Sequence, residues 1–311
     1  MISALLSVIL PTYGVIGIGI FARHVGIWKD NAVDVLNKYA YYIALPALIF
    51  LNVVSMQTDE LLNANTLKMI GVTLAIHLAI VGATLVFEKV RKTPRETRAA
   101  SPMLMTFGST AYMGIPFVTY LVGGTAIAYA SLLSVALVVV MIIIHTIILN
   151  KLDRLPSTKN NFTSFLELPF IWAVVLALGY LFLKLPPLPT PIIKFLEVLA
   201  GSAGPTALLG IGAFLHRIKP SQVPWGKSIF YAVVKVIILP LAVFLTMNAL
   251  GLEKTYIIVA VALSAVGTGV TCFVLAEEHK IGTKETAGTI LVSTILSLLS
   301  LSALSFYFFL K

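Results

Sequence analysis

An all-α membrane protein of ten transmembrane helices, built as two inverted five-helix repeats, is the fold class this sequence predicts, and three observations carry it. Of the 311 residues, 59% are hydrophobic and 11% charged, where a soluble domain carries about 25% charge. The mean hydropathy of +0.98 extends over the whole length, so no stretch is polar enough for a separate water-facing domain. Apolar runs of membrane-crossing length recur ten times, and one offset of 159 residues matches motifs in three of the span pairs. The one thiol, Cys272, has no partner for a disulfide or a zinc cage.

A helix needs about 20 apolar residues to cross a hydrocarbon layer of about 30 Å. Counted between clusters of charge, Pro and Gly, the runs are roughly 2–22, 32–54, 67–90, 99–121, 125–149, 165–183, 191–215, 227–249, 255–277 and 285–310. The first is expected to remain a span, because Met1-Ile2-Ser3 lacks a basic n-region and no small-residue cleavage site follows. The expected units are therefore 1–149, a short cytoplasmic linker at 150–164, and 165–311.

Lys and Arg set the expected orientation, since short basic loops stay on the cytoplasmic side. Loops after odd-numbered spans hold sixteen of them, including Lys38, Arg217, Lys219 and Lys284, against five on the other side with the C-terminus. Both termini are expected outside, in a plasma or inner membrane. The net charge of +9 then reflects attraction to anionic lipid heads, worth about 1 kcal/mol per residue near the surface. Nucleic acid is not an expected partner, because the basic residues are spread over five loops.

Five spans per half is an odd number, so related halves must lie upside down relative to each other. A shift of 159 residues sets Pro46 on Pro205, Gly108 on Gly267, Thr110 on Gly269 and Ser134 on Ser293. Spans 4 and 9 each carry Gly and hydroxyl residues at mid-depth: Phe107-Gly108-Ser109-Thr110-Ala111-Tyr112-Met113-Gly114-Ile115-Pro116, and Ser264-Ala265-Val266-Gly267-Thr268-Gly269-Val270-Thr271-Cys272. Pro116 lacks an N–H and is expected to open a new half-helix, while Gly267 and Gly269 permit unwinding. Unwound backbone is tolerated at that depth only inside protein or along a wet cavity. Paired interruptions in two halves point to the binding site of a secondary transporter, and helix N-termini suit an anion. Small-residue helix packing is the alternative for either segment alone.

Those stretches, with Leu45-Pro46-Ala47-Leu48-Ile49-Phe50 early and Phe273-Val274-Leu275-Ala276-Glu277-Glu278 and Val292-Ser293-Thr294-Ile295-Leu296-Ser297 late, resemble the auxin efflux carrier family over nearly the whole chain. The resemblance implies the sodium/bile-acid symporter-like fold, with a scaffold of spans 1, 2, 6 and 7 and a moving domain of spans 3–5 and 8–10. It also implies substrate held where spans 4 and 9 cross. The family usually has Asn at the position of Ser109, and Pro and Asn at those of Gly267 and Thr271. The long central loop of its plant members has no counterpart here.

The implied function is secondary-active, elevator-type transport of small organic anions, carboxylates of auxin-like or dicarboxylate type. The expected substrate-binding set is Gly108, Ser109, Thr110, Gly114, Pro116, Gly267, Thr268, Gly269 and Thr271, with Asn52 facing substrate from the scaffold. A sodium-coupled symporter of the bile-acid type is the alternative carrier, with Na⁺ at Ser109 and Thr268. A channel or receptor is the alternative outside carriers.

Ionisable groups at bilayer depth are functional candidates because they are costly there. His77 and Lys235 are the proton- or charge-coupling candidates, and the repeat offset brings them within one position of each other. His77 could instead be a hydrogen-bonded interior histidine. Lys235 could snorkel to the inner surface or pair with backbone carbonyls of the crossing helices. His145 is expected near the cytoplasmic surface. Asp34, Glu88, Glu197 and Glu277 fall at or near span ends, which disfavours a midplane aspartate pair. The sequence shows no nucleophile with its base and no two-His metal spacing, so no enzyme and no cofactor is expected. The expected partners are a small organic anion and the lipid bilayer, with a homodimer left open.

Overall fold

The computed structural model describes residues 9–55, 63–124, 126–152 and 169–310; most of the expected linker at 150–164 lies outside them. Helix occupies each apolar run. In chain order these are α1 (Val15–His24), α2 (Asp30–Tyr39), α3 (Leu45–Val54), α4 (Ala64–Val90), α5 (Arg95–Thr106), α6 (Ile115–Leu121) and α7 (Ala126–Leu152). They continue with α8 (Pro169–Phe182), α9 (Thr190–His216), α10 (Trp225–Val233), α11 (Leu239–Ala249), α12 (Lys254–Ala265), α13 (Thr271–Glu278) and α14 (Thr283–Leu310). Among the described residues there is no named strand, only one isolated antiparallel bridge. Among the described residues, five helices are long and apolar enough to cross a membrane: α4, α7, α9, α10 joined to α11, and α14.

Proline explains the irregular turns. A π-helical turn at Ala40–Ala44 precedes Pro46, one at Thr110–Gly114 precedes Pro116, and one at Val234–Ile238 precedes Pro240. The proline ring would strike the carbonyl one turn back. Widening the preceding turn to the i→i+5 pattern moves that carbonyl away, so these helices continue through their prolines. A further π turn, Leu10–Gly14, carries Pro11 in its own first positions.

The densest packing falls in two groups of neighbours, which meet where α3 and α8 also contact α7. α9 lies against α1, α2 and α3, and α8 against α3. The closest approach joins α1 and α9, where a Cβ on Gly19 would strike the Leu209 carbonyl and one on Gly212 would strike the Ile16 carbonyl. Elsewhere α4 packs on α5, α5 on α7, α7 on α12, α11 on α12, and α10 on α14. Large apolar side chains such as Phe21, Val90, Leu183, Phe195 and Val198 are exposed on the outside, whereas His77, His145 and Lys235 are buried inside. This inside-out distribution is what a lipid solvent selects.

Candidate functional site

The site is built on two interrupted helices. α5 stops at Thr106, after which Phe107 is extended (φ −84°, ψ 100°) and the chain resumes helix at Thr110. α12 stops at Ala265, Val266 is extended (φ −65°, ψ 152°), and helix resumes at Thr271. The two breaks lie side by side as an antiparallel bridge between Gly108 and Thr268. The Ser109 N–H donates to the Gly267 carbonyl at 2.8 Å and the Gly269 N–H to the Phe107 carbonyl at 2.9 Å. Each break thus satisfies the other's backbone groups, which lipid could not do.

Glycine is needed here for room. A Cβ on Gly267 would come 2.9 Å from the Thr294 nitrogen of α14, and one on Gly269 would come 3.2 Å from the Gly108 carbonyl oxygen. The interruption of span 4 falls at Phe107–Ser109, upstream of Pro116, which corrects the expectation that the proline opens the half-helix. The helix has already resumed at Thr110, and the π turn before Pro116 absorbs the missing N–H.

The four broken ends are treated differently. Those ending in carbonyls are covered by protein donors. The Thr268 hydroxyl donates to the Leu104 carbonyl at 2.9 Å, Lys235 Nζ to the Ser264 carbonyl at 2.5 Å, and the Ser300 hydroxyl to the Ala265 carbonyl at 3.3 Å. The ends beginning with N–H groups instead border open space. A cavity of about 440 Å³ is lined by Lys38, Tyr41, Tyr42, Phe107, Gly108, Ser109, Thr110, Ala111, Tyr112, Val138, Ile211, Gly269, Val270 and Thr271. The ladder of the second half of span 4 starts with the Met113 N–H on the Ser109 carbonyl, and that of span 9 with the Cys272 N–H on the Gly269 carbonyl. Thr110, Ala111 and Tyr112 on one side, and Val270 and Thr271 on the other, precede those bonds and line the cavity.

Neighbouring helices brace both breaks at positions matched by the 159-residue offset. The Ser134 hydroxyl of α7 donates to the Thr110 hydroxyl at 2.9 Å, and the Ser293 hydroxyl of α14 accepts from the Thr268 N–H at 2.8 Å. A second cavity of about 530 Å³ is lined by Asp34, Phe214, Arg217, Lys219, Phe273 and Lys284, among others. Val270 lines both cavities.

Of the expected set, Gly108, Ser109, Thr110, Gly269 and Thr271 line the cavity together. The others do not. Gly267 abuts α14, Gly114 packs against Leu263, and the Pro116 ring packs against Gly204 of α9. Thr268 commits its hydroxyl to Leu104, so it does not share the cavity with Ser109 as a sodium pair would. Asn52 is half-buried, does not line the cavity, and its amide nitrogen has no partner.

His77 is buried and donates from Nδ1 to the Thr73 carbonyl of its own helix at 2.8 Å, which matches the interior reading. Lys235 does not snorkel; it is 0% exposed and bound to a carbonyl of a crossing helix. His145 corrects the surface expectation, since it too is 0% exposed, hydrogen-bonded through Nε2 to the Thr106 hydroxyl at 3.0 Å and stacked on Phe107. It sits against the end of α5, which its position along α7 could not reveal.

Sequence reasoning missed Lys38, Tyr41, Tyr42 and Tyr112 as lining residues. The signal was present in part: Lys38, Tyr41 and Tyr42 stand three and four residues apart, on one helical face.

The comparisons with known proteins identify a transporter. Residues 4–305 match the family model described as membrane transport protein. A protein of Rhizobium meliloti named as a putative malonate transporter is 24% identical, over 96% of this chain and 94% of its own length. An uncharacterized transporter of Methanocaldococcus jannaschii is 23% identical, over 94% of this chain and 96% of its own length. The chain is therefore a multi-pass membrane transporter, not an enzyme, and belongs to the membrane transport protein family, the auxin efflux carriers whose motifs its sequence resembles.

Proposed function

We propose that this chain is a secondary-active carrier of small organic anions, dicarboxylates of the malonate class foremost, working by an elevator-type alternation. The observation that carries the reading is the unequal treatment of the broken helix ends. Protein donors cap the carbonyl ends, while the N–H ends border the cavity beside the Ser109, Thr110 and Thr271 hydroxyls. Such ends offer partial positive charge and unpaired donors, which favour an anion. Lys38 at the cavity wall adds a full positive charge. The name of the Rhizobium meliloti relative supports a dicarboxylate.

The proposed architecture is two inverted five-helix repeats, at 1–149 and 165–311, in a cytoplasmic membrane with both termini outside. The matched Ser134 and Ser293 braces support the repeat. The dense packing of α1–α3 with α8 and α9 supports a scaffold against which the other helices slide. A Cβ built on Gly204 of α9 would lie 3.4 Å from the Pro116 ring of the moving group, so the two groups meet there. The sixteen Lys and Arg in odd loops support the orientation, which would turn the Arg217, Lys219 and Lys284 cavity to the cytoplasm.

The test is uptake of labelled malonate, with a panel of mono- and dicarboxylates as competitors, into proteoliposomes holding the purified protein. Saturable uptake accelerated by malonate preloaded in the lumen is the expected result. Flux that does not saturate and shows no counter-substrate exchange would identify a channel and overturn the carrier reading.

A further inference from the structure

Lys235 presents a problem that the carrier reading leaves open. Its side chain is 0% exposed, and among the described residues no carboxylate is within ion-pairing distance of it. Among the described residues, His77 and Cys272 are titratable side chains that interact with it, and neither is a carboxylate. Burying an ammonium without a counter-charge costs several kcal/mol, so a lysine that keeps its proton here needs a compensating field.

That field comes from the broken helices. Nζ donates to the Ser264 carbonyl at 2.5 Å, at the end of α12, where the break removes the next-turn N–H partners and leaves the negative pole of the half-helix. On its other side the chain runs against Gly108. A Cβ there would come within 3.0 Å of both Cε and Nζ, so the ammonium lies against Gly108, which itself lines the cavity. The residue is delivered to this point by the π turn Val234–Ile238 that Pro240 imposes. One carbonyl uses one of three donors.

We infer that Lys235 is the resident cation of this site: its ammonium lies where the two broken helices cross, supplies the fixed positive charge against which the substrate carboxylate is held, and fills the place a coupling monovalent cation would take. The inference rests on the anion-carrier reading and deepens it. A mobile sodium ion at the crossing would be repelled by the ammonium beside it. Its role of holding the carbonyl end of α12 while adding positive potential to the cavity is already filled by a covalently attached charge. Anion binding therefore needs no sodium, and removal of the charge weakens the anion while leaving a hole that a small cation fits.

The experiment has two arms on the full-length protein. Malonate uptake by wild type is measured with sodium replaced on both sides by N-methylglucamine, and is expected to be unchanged. Malonate binding to Lys235→Ala in detergent is measured without sodium, then with sodium chloride and with ethylammonium chloride. Affinity is expected to fall at least about tenfold, with either small cation, but not N-methylglucamine, restoring part of it and raising the unfolding temperature of the variant without raising that of wild type. Wild-type uptake that requires sodium overturns the inference and leaves the carrier standing. So does a folded K235A that binds malonate with unchanged affinity. If K235A does not fold, the wild-type sodium arm decides. A wild type that takes up no carboxylate removes the carrier reading and this inference together.

Discussion

Gly267→Ala tests the architecture of the crossing at a single carbon atom. The added Cβ would come 2.9 Å from the Thr294 nitrogen and 3.0 Å from both its Cα and its Oγ1. Two of those three atoms are backbone in the middle of a 28-residue helix, α14, so the clash cannot be relieved by a rotamer change. Either α14 or the break must shift. The Gly267 carbonyl accepts the Ser109 N–H at 2.8 Å, and the neighbouring Thr268 N–H reaches Ser293 at 2.8 Å, so moving the break stretches one or both bonds. Overpacking costs about 1–3 kcal/mol and a strained buried hydrogen bond about 0.5–1.5, for a loss of about 2–4 kcal/mol. Gly71→Ala and Gly82→Ala are the controls. Both lie inside α4 with nothing within 4 Å of a new Cβ, and Ala gains up to about 1 kcal/mol there as a better helix former. Fluorescence-detected thermal unfolding in detergent, paired with uptake at matched protein levels, reads the contrast. The expected result is a lowered midpoint and impaired uptake for G267A, with neither in the controls. A G267A as stable and active as wild type would refute the tight crossing.

Three further outcomes are expected. Pro116→Ala should reach the membrane in normal amount yet transport more slowly, because an alanine restores the N–H that the π turn replaces and changes the ring contact on Gly204; membrane fractionation with uptake checks both halves. Ser293→Ala strands the buried Thr268 N–H and should cost about 1–3 kcal/mol, whereas Ser134→Ala removes only a hydroxyl partner of Thr110 and should cost about 1 kcal/mol or less; equal midpoints for the two variants would contradict the assigned bonds. Lys38→Gln should raise the KM for malonate several-fold with little change in maximal rate and flatten its dependence on ionic strength, since Lys38 is an exposed charge on the cavity wall.

Much of the candidate site was legible in the chain because its causes are local. Gly108-Ser109 and Gly267-Thr268-Gly269 are weak helix formers at mid-span, and five of the nine residues expected at the crossing do line the cavity. The misses have two origins, one local and one tertiary. Pro116 reads as a helix breaker, yet a widened turn lets the helix pass through it. His145 reads as a terminal residue of its helix, yet the end of α5 covers it. Asn52 lies on the right span but on a face that does not reach the cavity, and Lys38 reads as a loop charge although it lies on its wall. For Pro116 the deciding turn lies on its own span, whereas for the others the deciding neighbours sit on different helices.

The apolar runs, their lengths, the distribution of basic residues and the positions of weak helix follow from the sequence alone, because transfer to lipid and helix propensity are summed along the chain. Which broken ends are capped and which stay open to a ligand was decided only by the tertiary structure. Lys235 and Ser264, Thr268 and Leu104, and Ser109 and Gly267 meet across long stretches of sequence, and a hydrogen bond exists only where two distant segments are brought within about 3 Å.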